Sequence, residues 1–577
     1  MQTDLHFLDG SYRAETGMSL HAEQRPATIR ACPSPHYQKG PIMSESQTTI
    51  NTITSQLWAM ANELRGNMDA GEFKNYILAF MFYRYLSEHQ EAYLVESNAI
   101  EVAENQNPYT AYREQAGGDE LADYLEDIAS ALGYAIEPED TWTALVHRID
   151  SGTVIPSDYQ TLFDHFNAHA ALNQDAVRDF SGVFNDINLG DSRLGSSTTA
   201  RAKSLNSIVK LVDQIEYKDA SGRDILGVIY EYLIGQFAAT AGKKGGEFYT
   251  PHQVSKVLAK IVTDGAGAGH GAFSVYDPTM GSGSLLLTVR DELAGGYRTG
   301  AVQFYGQELN TTTYNLARMN LMMHGVGYNN MTLSNADTLE RDWPDGPDER
   351  GIDRPRRFDA VVANPPYSAK WDNAETKLKD PRFTDYGKLA PASKADFAFV
   401  LHSYYHLNPK GTMAIVLPHG VLFRGAAEAK IRQTLIEKKN ALDTVIGLPP
   451  NLFYGTSIPT TILVLKRGRK NRDILFIDAS QEFEKGKNQN FLPDACIDKI
   501  IATCRARHDV DKYAHLATPK EIADNDYNLN IPRYVDTFEE EAPIDLAEVN
   551  RLLAQDDADI AALEAEIAGQ LKLLGVE

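Results

Sequence analysis

The segment VVANPPYSAKW, residues 361–371, decides how this chain is read. A hydrophobic, β-branched entry runs into an amide, two prolines and a tyrosine. Two adjacent prolines remove two backbone donors and fix two φ angles, so the strand must stop in a stiff loop. The side-chain oxygen of Asn364 and the backbone carbonyl of Pro365 are both acceptors. Two acceptors on a rigid loop match the two hydrogens of an exocyclic amine. Tyr367 adds a flat face for a base to stack on, typically worth ~1–3 kcal/mol per base. The plainer alternative is a Pro-rich turn that closes a strand.

Outward from that loop the texture is strand, turn, helix. FSVYD (273–277), VQFYGQE (302–308), FDAVVAN (358–364), GTMAIVLP (411–418), ALDTVIGLP (441–449) and TTILVLKR (460–467) are short apolar runs. Helical stretches such as SLLLTVRDEL and TYNLARMNLMMHG separate the early ones. This alternation predicts an α/β fold with a doubly wound, Rossmann-like sheet. Ligands in such sheets bind beyond the carboxyl ends of the strands.

The other polar signals fall at those ends. YDPTMGSGSLLL (276–287) leaves a strand and opens a helix, and Gly281 and Gly283 permit a tight turn and close approach of a ligand to the backbone. Leu286 occupies the third glycine position of a dinucleotide fingerprint, which counts against a dinucleotide. Asp277 suits a cationic ligand group better than a pyrophosphate. Glu308 closes the next strand and could accept from both hydroxyls of a ribose, or be a surface carboxylate. Asp337, in NADTL, could accept from an adenine amino group, or cap a helix N-terminus.

The 577 residues are too many for one core, and 43% hydrophobic with 23% charged residues is ordinary globular composition. No run approaches the ~20 apolar residues of a membrane helix. Three scattered cysteines argue against a disulfide framework or a Cys-based metal site and for a reducing cytoplasm. No metal is expected. A net charge of −24 points away from a nucleic-acid partner unless local patches or another subunit supply the positive charge. Between Gly351 and Lys394, nine Lys/Arg face six Asp/Glu, either a binding patch or a solvated face. Residues 1–42 are read as a disordered extension ahead of a natural start at Met43. From about 50 to 235 the spacing of apolar residues is helical, as in FKNYILAFMFYRYLSEH. Between 545 and 574 an apolar seam near heptad spacing, interrupted by Asp556, predicts a helix that packs on its own chain or on a partner subunit.

Taken together, the leader LWAMANELRGNMDAGEFKNYILAFMFYRYLSE, GEFYTP (246–251), DPTMGSGS (277–284) and NPPY (364–367) resemble the modification (M) subunits of type I restriction–modification systems. These are adenine-N6 DNA methyltransferases. The likeness covers about 50 to 470, in the motif order of the gamma arrangement. It implies four regions: the extension 1–42, a helical domain 43–235, an S-adenosylmethionine-dependent methyltransferase domain 236–475, and a C-terminal region 476–577 whose helical tail contacts another subunit.

By position, the resemblance implies that Glu247, Phe248, Tyr249, Thr250, Pro251 and His252 close over the methionine end of S-adenosylmethionine. Asp277 and the turn Gly281, Ser282, Gly283, Ser284 flank the methionine and sulfonium; Glu308 holds the ribose and Asp337 the adenine. Asn364, Pro365, Pro366 and Tyr367 receive the target adenine, with Phe397 of KADFAFVLH packing near the base. A methyl group would pass directly to N6 of an adenine flipped out of duplex DNA. The chain contains no Pro-Cys pair, which excludes C5-cytosine chemistry. The implied partners are double-stranded DNA, a specificity (S) subunit with two M per S, and a restriction (R) subunit, with no membrane. The same loop also serves RNA and protein-glutamine methyltransferases, an alternative that the helical leader and tail disfavour. A further alternative is a non-catalytic scaffold that keeps the cofactor fold.

Overall fold

The computed structural model describes residues 70–215, 226–241, 250–266, 271–293, 302–340, 356–453, 456–486, 489–538 and 545–575, with single positions 55, 58 and 68. The expected extension, its Met43 start, and Glu247, Phe248 and Tyr249 lie outside the described residues.

Among the described residues, seven helices of eight residues or more come first: α1 (Ala70–Glu96), α2 (Pro108–Gln115), α3 (Leu121–Leu132), α4 (Trp142–Asp150), α5 (Pro156–Ala170), α6 (Thr198–Asp213) and α7 (Leu226–Ala241). An aromatic core holds them together. Phe163 stacks on Phe184 at 4.7 Å between ring centroids, and Tyr83 and Phe166 meet Phe184 edge-on. Such pairs add about 0.5–1.5 kcal/mol each beyond the area they bury.

The remaining chain alternates helices with strands: α8 (His252–Thr263), β1 (Phe273–Asp277), α9 (Ser284–Leu293), β2 (Val302–Glu308), α10 (Thr311–Met323), β3 (Met331–Asn335), β4 (Phe358–Ala363), α11 (Asp396–Tyr405), β5 (Leu407–Pro418), α12 (Ala426–Glu437), β6 (Leu442–Gly447), β7 (Thr460–Lys466) and β8 (Ile474–Asp478). A two-residue hairpin, β9 (Glu484–Lys485) and β10 (Asn490–Phe491), precedes α13 (Asp494–Ala506), β11 (Ala514–Ala517) and α14 (Leu546–Leu573).

Nine strands form one sheet in the order β11-β8-β6-β7-β5-β4-β1-β2-β3. Strands β3, β2, β1, β4 and β5 are mutually parallel, and β7 runs antiparallel between β5 and β6. The central strands are buried nearly throughout, all six residues of β6 among them. Parallel strands covered on both faces read as continuous apolar runs for this reason. The sheet continues past residue 475, the end assigned to this domain from sequence. β8 pairs in parallel with β6, and β11 adds an antiparallel edge. At four to five residues each, these strands are too short to stand out from the surrounding loops.

α10 ties the helical region to the sheet. The Tyr85 hydroxyl donates to the Met322 carbonyl (3.0 Å), and the Arg318 guanidinium donates to the carbonyls of Arg178, Asp179 and Ser181. Arg318 is buried, so these bonds replace its lost hydration.

Candidate active site

The parallel half of the sheet brings the predicted residues to one edge. β1 ends at Asp277, β2 at Glu308, β3 at Asn335 and β4 at Ala363, all pointing the same way. β4 lies beside β1, with Val361 opposite Tyr276. Adjacent strands are separated by ~4.8 Å, so Asn364 leaves its strand next to the turn that follows Asp277.

On the β1–β2 side, the backbone is shaped for close packing. Gly281 and Gly283 both have positive φ, +54° and +77°. A Cβ on Gly283 would come within 2.4 Å of Leu321 on α10, whereas one on Gly281 would meet nothing. The absence of a side chain at Gly283 thus admits the neighbouring helix, whereas the Cβ direction of Gly281 is open. The Glu308 carboxylate accepts from Gly281 N–H (3.1 Å) and from Asn310 N–H (2.8 Å), so it braces this turn. The Ser282 and Ser284 hydroxyls are bonded to each other at 3.1 Å, and Asn320 of α10 donates to the Ser282 carbonyl. Asp277 is 2% exposed and accepts from Thr279 N–H (2.9 Å). Burial, reinforced by the nearby Glu308 charge, raises its carboxyl to about 7, against the pull of the Thr279 N–H. Asp337 accepts from Leu339 N–H (2.9 Å) in a turn rather than at a helix N-terminus, and is half-buried two residues past the end of β3.

On the β4 side, side chains do the fixing. Asn364 is 8% exposed; its amide nitrogen donates to Thr250 Oγ1 (3.0 Å), and its Oδ1 accepts from the Tyr367 hydroxyl (2.9 Å). Pro365 is buried and Pro366 exposed. Ser368, the next residue after the tyrosine, has φ of +52°. Its N–H is held by the buried carboxylate of Asp396 at 2.8 Å, and the other oxygen of Asp396 takes Arg424 at 2.6 Å. The Tyr367 ring meets Phe453 edge-on at 6.0 Å.

Thr250, Pro251 and His252 lead into α8, with Pro251 buried and His252 exposed. Thr250 thus joins the loop before α8 to the NPPY loop, a contact that spacing in sequence could not reveal. Asp396, Arg424 and Phe453 are likewise absent from the sequence-based set. The signals were an acid opening the apolar run DFAFVLH and the phenylalanine of NLFYG. Phe397, expected near the base, is 1% exposed and belongs to the apolar core with Val361 and Ala363.

The basic stretch around this loop is partly structural. Arg382 is buried, Arg356 donates to the Tyr305 hydroxyl, Arg357 donates to the Tyr405 carbonyl, and Lys377 pairs with Glu340. Lys370, Lys379 and Lys388 are exposed.

Comparison with known proteins agrees with this geometry. The N-6 DNA Methylase family matches residues 221–542, and the HsdM N-terminal domain family matches 53–212. The type I restriction enzyme MpnII methylase subunit of Mycoplasma pneumoniae is 37% identical over 515 residues, covering 87% of this chain and 92% of that protein. The HindI methylase subunit of Haemophilus influenzae is 34% identical over 371 residues, 62% of this chain and 79% of that one. Among solved structures, the type I restriction-modification methyltransferase subunit from Streptococcus thermophilus superposes with a TM-score of 0.77 at 46% identity, covering 85% of this chain and all of that one. Among the described residues, no helix is long and apolar enough to cross a membrane. The chain belongs to the N-6 DNA methylase family, as the methylase subunit of a type I restriction-modification system, an adenine-specific DNA methyltransferase.

Proposed function

We propose that this subunit transfers a methyl group from S-adenosylmethionine to N6 of an adenine flipped out of duplex DNA at a sequence chosen by a separate specificity subunit. The observation that carries the reading is the placement of Asn364, fixed by Thr250 and Tyr367, at the end of the strand beside β1 and its turn. The residues at this edge suit the cofactor. Asp277 is a buried carboxylate matched to a cationic group, Gly281 presents an open backbone face, and Glu308 and Asp337 are carboxylates of the kind that accept from ribose hydroxyls and an amine. Bound there, S-adenosylmethionine supplies an electrophilic methyl on a sulfonium.

The protein's own contribution is orientation. The Asn364 Oδ1, oriented by the Tyr367 hydroxyl, would accept one amine hydrogen, and the Pro365 carbonyl the other. Gripping both hydrogens biases the nitrogen toward sp³ geometry and aims its lone pair at the methyl carbon. No strong base is needed; holding both reactants in a near-attack geometry lowers the barrier. Tyr367 and Phe453 provide aromatic walls, and stacking on them offsets the few kcal/mol of extrusion.

The partner reading rests on α14. Every residue of this helix is exposed, including Ile560 (55%) and Leu563 (58%), and its apolar seam has no intrachain cover among the described residues. With a net charge of −24, the chain alone is expected to hold DNA weakly. We therefore assign α14 to a helix of the specificity subunit, in an assembly of two methylase subunits per specificity subunit that the restriction subunit joins. The family match to DNA methylases disfavours RNA or protein glutamine as substrate. Radiolabelled cofactor with DNA, plus the copurified specificity subunit, should yield N6-methyladenine at one sequence. Label in ribosomal components, with none in DNA, would overturn the proposal. Removal of residues 546–577 should abolish copurification and leave cofactor affinity unchanged.

A further inference from the structure

Arg382 lies in DPRFTDYG, a stretch to which the reaction assigns nothing, and is 3% exposed. A guanidinium has five N–H donors in a fixed plane, and all five are used here. Nε donates to both oxygens of Asp380 (3.1 and 3.0 Å). Nη2 donates to Asp380 Oδ2 (2.6 Å) and to the Leu339 carbonyl (3.2 Å). Nη1 donates to the Thr338 carbonyl (2.8 Å) and to His402 Nδ1 (3.0 Å).

The last bond sets the direction of everything beyond it. Arginine can only donate, so His402 Nδ1 is an acceptor and Nε2 carries the hydrogen. Nε2–H then donates to the Tyr276 hydroxyl (2.8 Å), and that hydroxyl donates to Gln307 Oε1 (2.5 Å). Burial, with His406 and Arg382 nearby, holds the His402 pKa well below its usual value, consistent with a neutral ring. The far end is equally specific. Gln307 is fully buried, its Nε2 finds no acceptor among the described residues, and its backbone carbonyl accepts from Met280 N–H (3.0 Å) at the start of the glycine turn.

The chain of bonds touches a neighbour of each of Asp277, Glu308 and Asp337. Thr338 and Leu339 follow Asp337, Tyr276 precedes Asp277, and Gln307 precedes Glu308. Its other end sits on the segment that follows the NPPY loop and on α11, which carries Asp396, the anchor of Ser368. We propose that Arg382 is a positioning residue that, through His402, Tyr276 and Gln307, sets the three cofactor-side carboxylates in register with the target loop. Lysine, with three donors on one atom, cannot span Asp380, two carbonyls and an imidazole. This inference rests on the S-adenosylmethionine reading of the same edge.

Calorimetry with S-adenosylmethionine on the full chain, and steady-state methylation by the complex with the specificity subunit, test it. Arg382→Lys should raise Kd and KM for the cofactor about 10-fold or more, while kcat at saturating cofactor stays within about 3-fold. Tyr276→Phe, nearly isosteric, should raise Kd about 5-fold, and it serves as the test if Arg382→Lys does not fold. Combined with Asp337→Ala, Arg382→Lys should add little, because residues acting through one loop are not additive. Cofactor affinity within 2-fold of wild type in both variants would overturn the proposal. So would a parallel fall in kcat and affinity accompanied by a lower Tm, the mark of a purely structural role. Absence of binding by the wild-type chain would instead defeat the cofactor reading itself, and this inference with it.

Discussion

The two sides of the candidate site sit on neighbouring strands but are held by different means. On the cofactor side the backbone itself is shaped: two positive-φ glycines, a carboxylate bracing the turn, and a helix close enough that a Cβ on Gly283 would strike it. On the target side the loop is rigid because of its prolines, and side chains from distant segments secure it. Thr250, Asp396 and Arg424 come from before α8, from the start of α11 and from before α12. The difference follows from what each side must do. A cofactor turn has to let a ligand approach the backbone, whereas a base-gripping loop has to fix one amide oxygen in space.

The sharpest way to separate the two sides is Asn364→Ala. It removes one of two acceptors for the amine, so kcat should fall by about 10³-fold or more, while cofactor Kd changes by less than about 3-fold. Equal losses in both would show that the loop is structural.

Next in size is Asp396→Ala. This substitution frees the N–H of Ser368 and removes one of the two acidic partners of Arg424, leaving Glu428 at 3.0 Å. Losing hydrogen bonds to a buried charged group typically costs about 1.5–3 kcal/mol, read as a lower denaturant midpoint. A variant as stable as wild type would show that the anchor contributes nothing.

On the cofactor side, Asp277 makes the comparison depend on pH. Its carboxyl is raised to about 7 from an unfolded value near 3.9, so the folded state holds the extra proton between those values. The associated stability is full below about pH 4 and is lost as pH rises through about 7. A cationic ligand group needs the ionised form, so cofactor affinity should rise about 10-fold between pH 6 and 8. Asp277→Asn should flatten that profile; a profile of unchanged slope would remove the carboxylate from the cofactor site.

The smallest expected effect is that of Thr250→Val, which removes one hydrogen bond to Asn364. A few-fold drop in kcat, with cofactor affinity nearly intact, would place Thr250 with the target side. A selective loss of affinity would return it to the cofactor loop.

Much of the architecture was legible before any coordinates. The bounds of β1 and β2 coincide with the quoted runs FSVYD and VQFYGQE, whose β-branched and aromatic residues suit a pleated, buried surface. β8 and β11 were not, since strands of four or five residues near an edge carry little pattern. Asn364, Glu308 and Asp277 could be picked out because polar residues at the ends of apolar strands need a reason to be there. Asp396, Arg424 and Arg382 could not: a buried charge is indistinguishable in sequence from an exposed one. Phe397 carries the same ambiguity, since an aromatic on an apolar helix face fits a pocket wall and a core equally well.

What the amino-acid order determined by itself was local: where strands stop, which turns need glycine, and which loop presents two acceptors. Those features depend on steric and donor–acceptor limits of a few adjacent residues. Only the tertiary structure decided that Thr250 meets Asn364 across 114 positions and that Arg382 reaches the strands carrying Asp277 and Glu308 through His402. Such contacts arise from strand order and from burial, where an unpaired polar group is costly and is met by whichever partner the fold brings near.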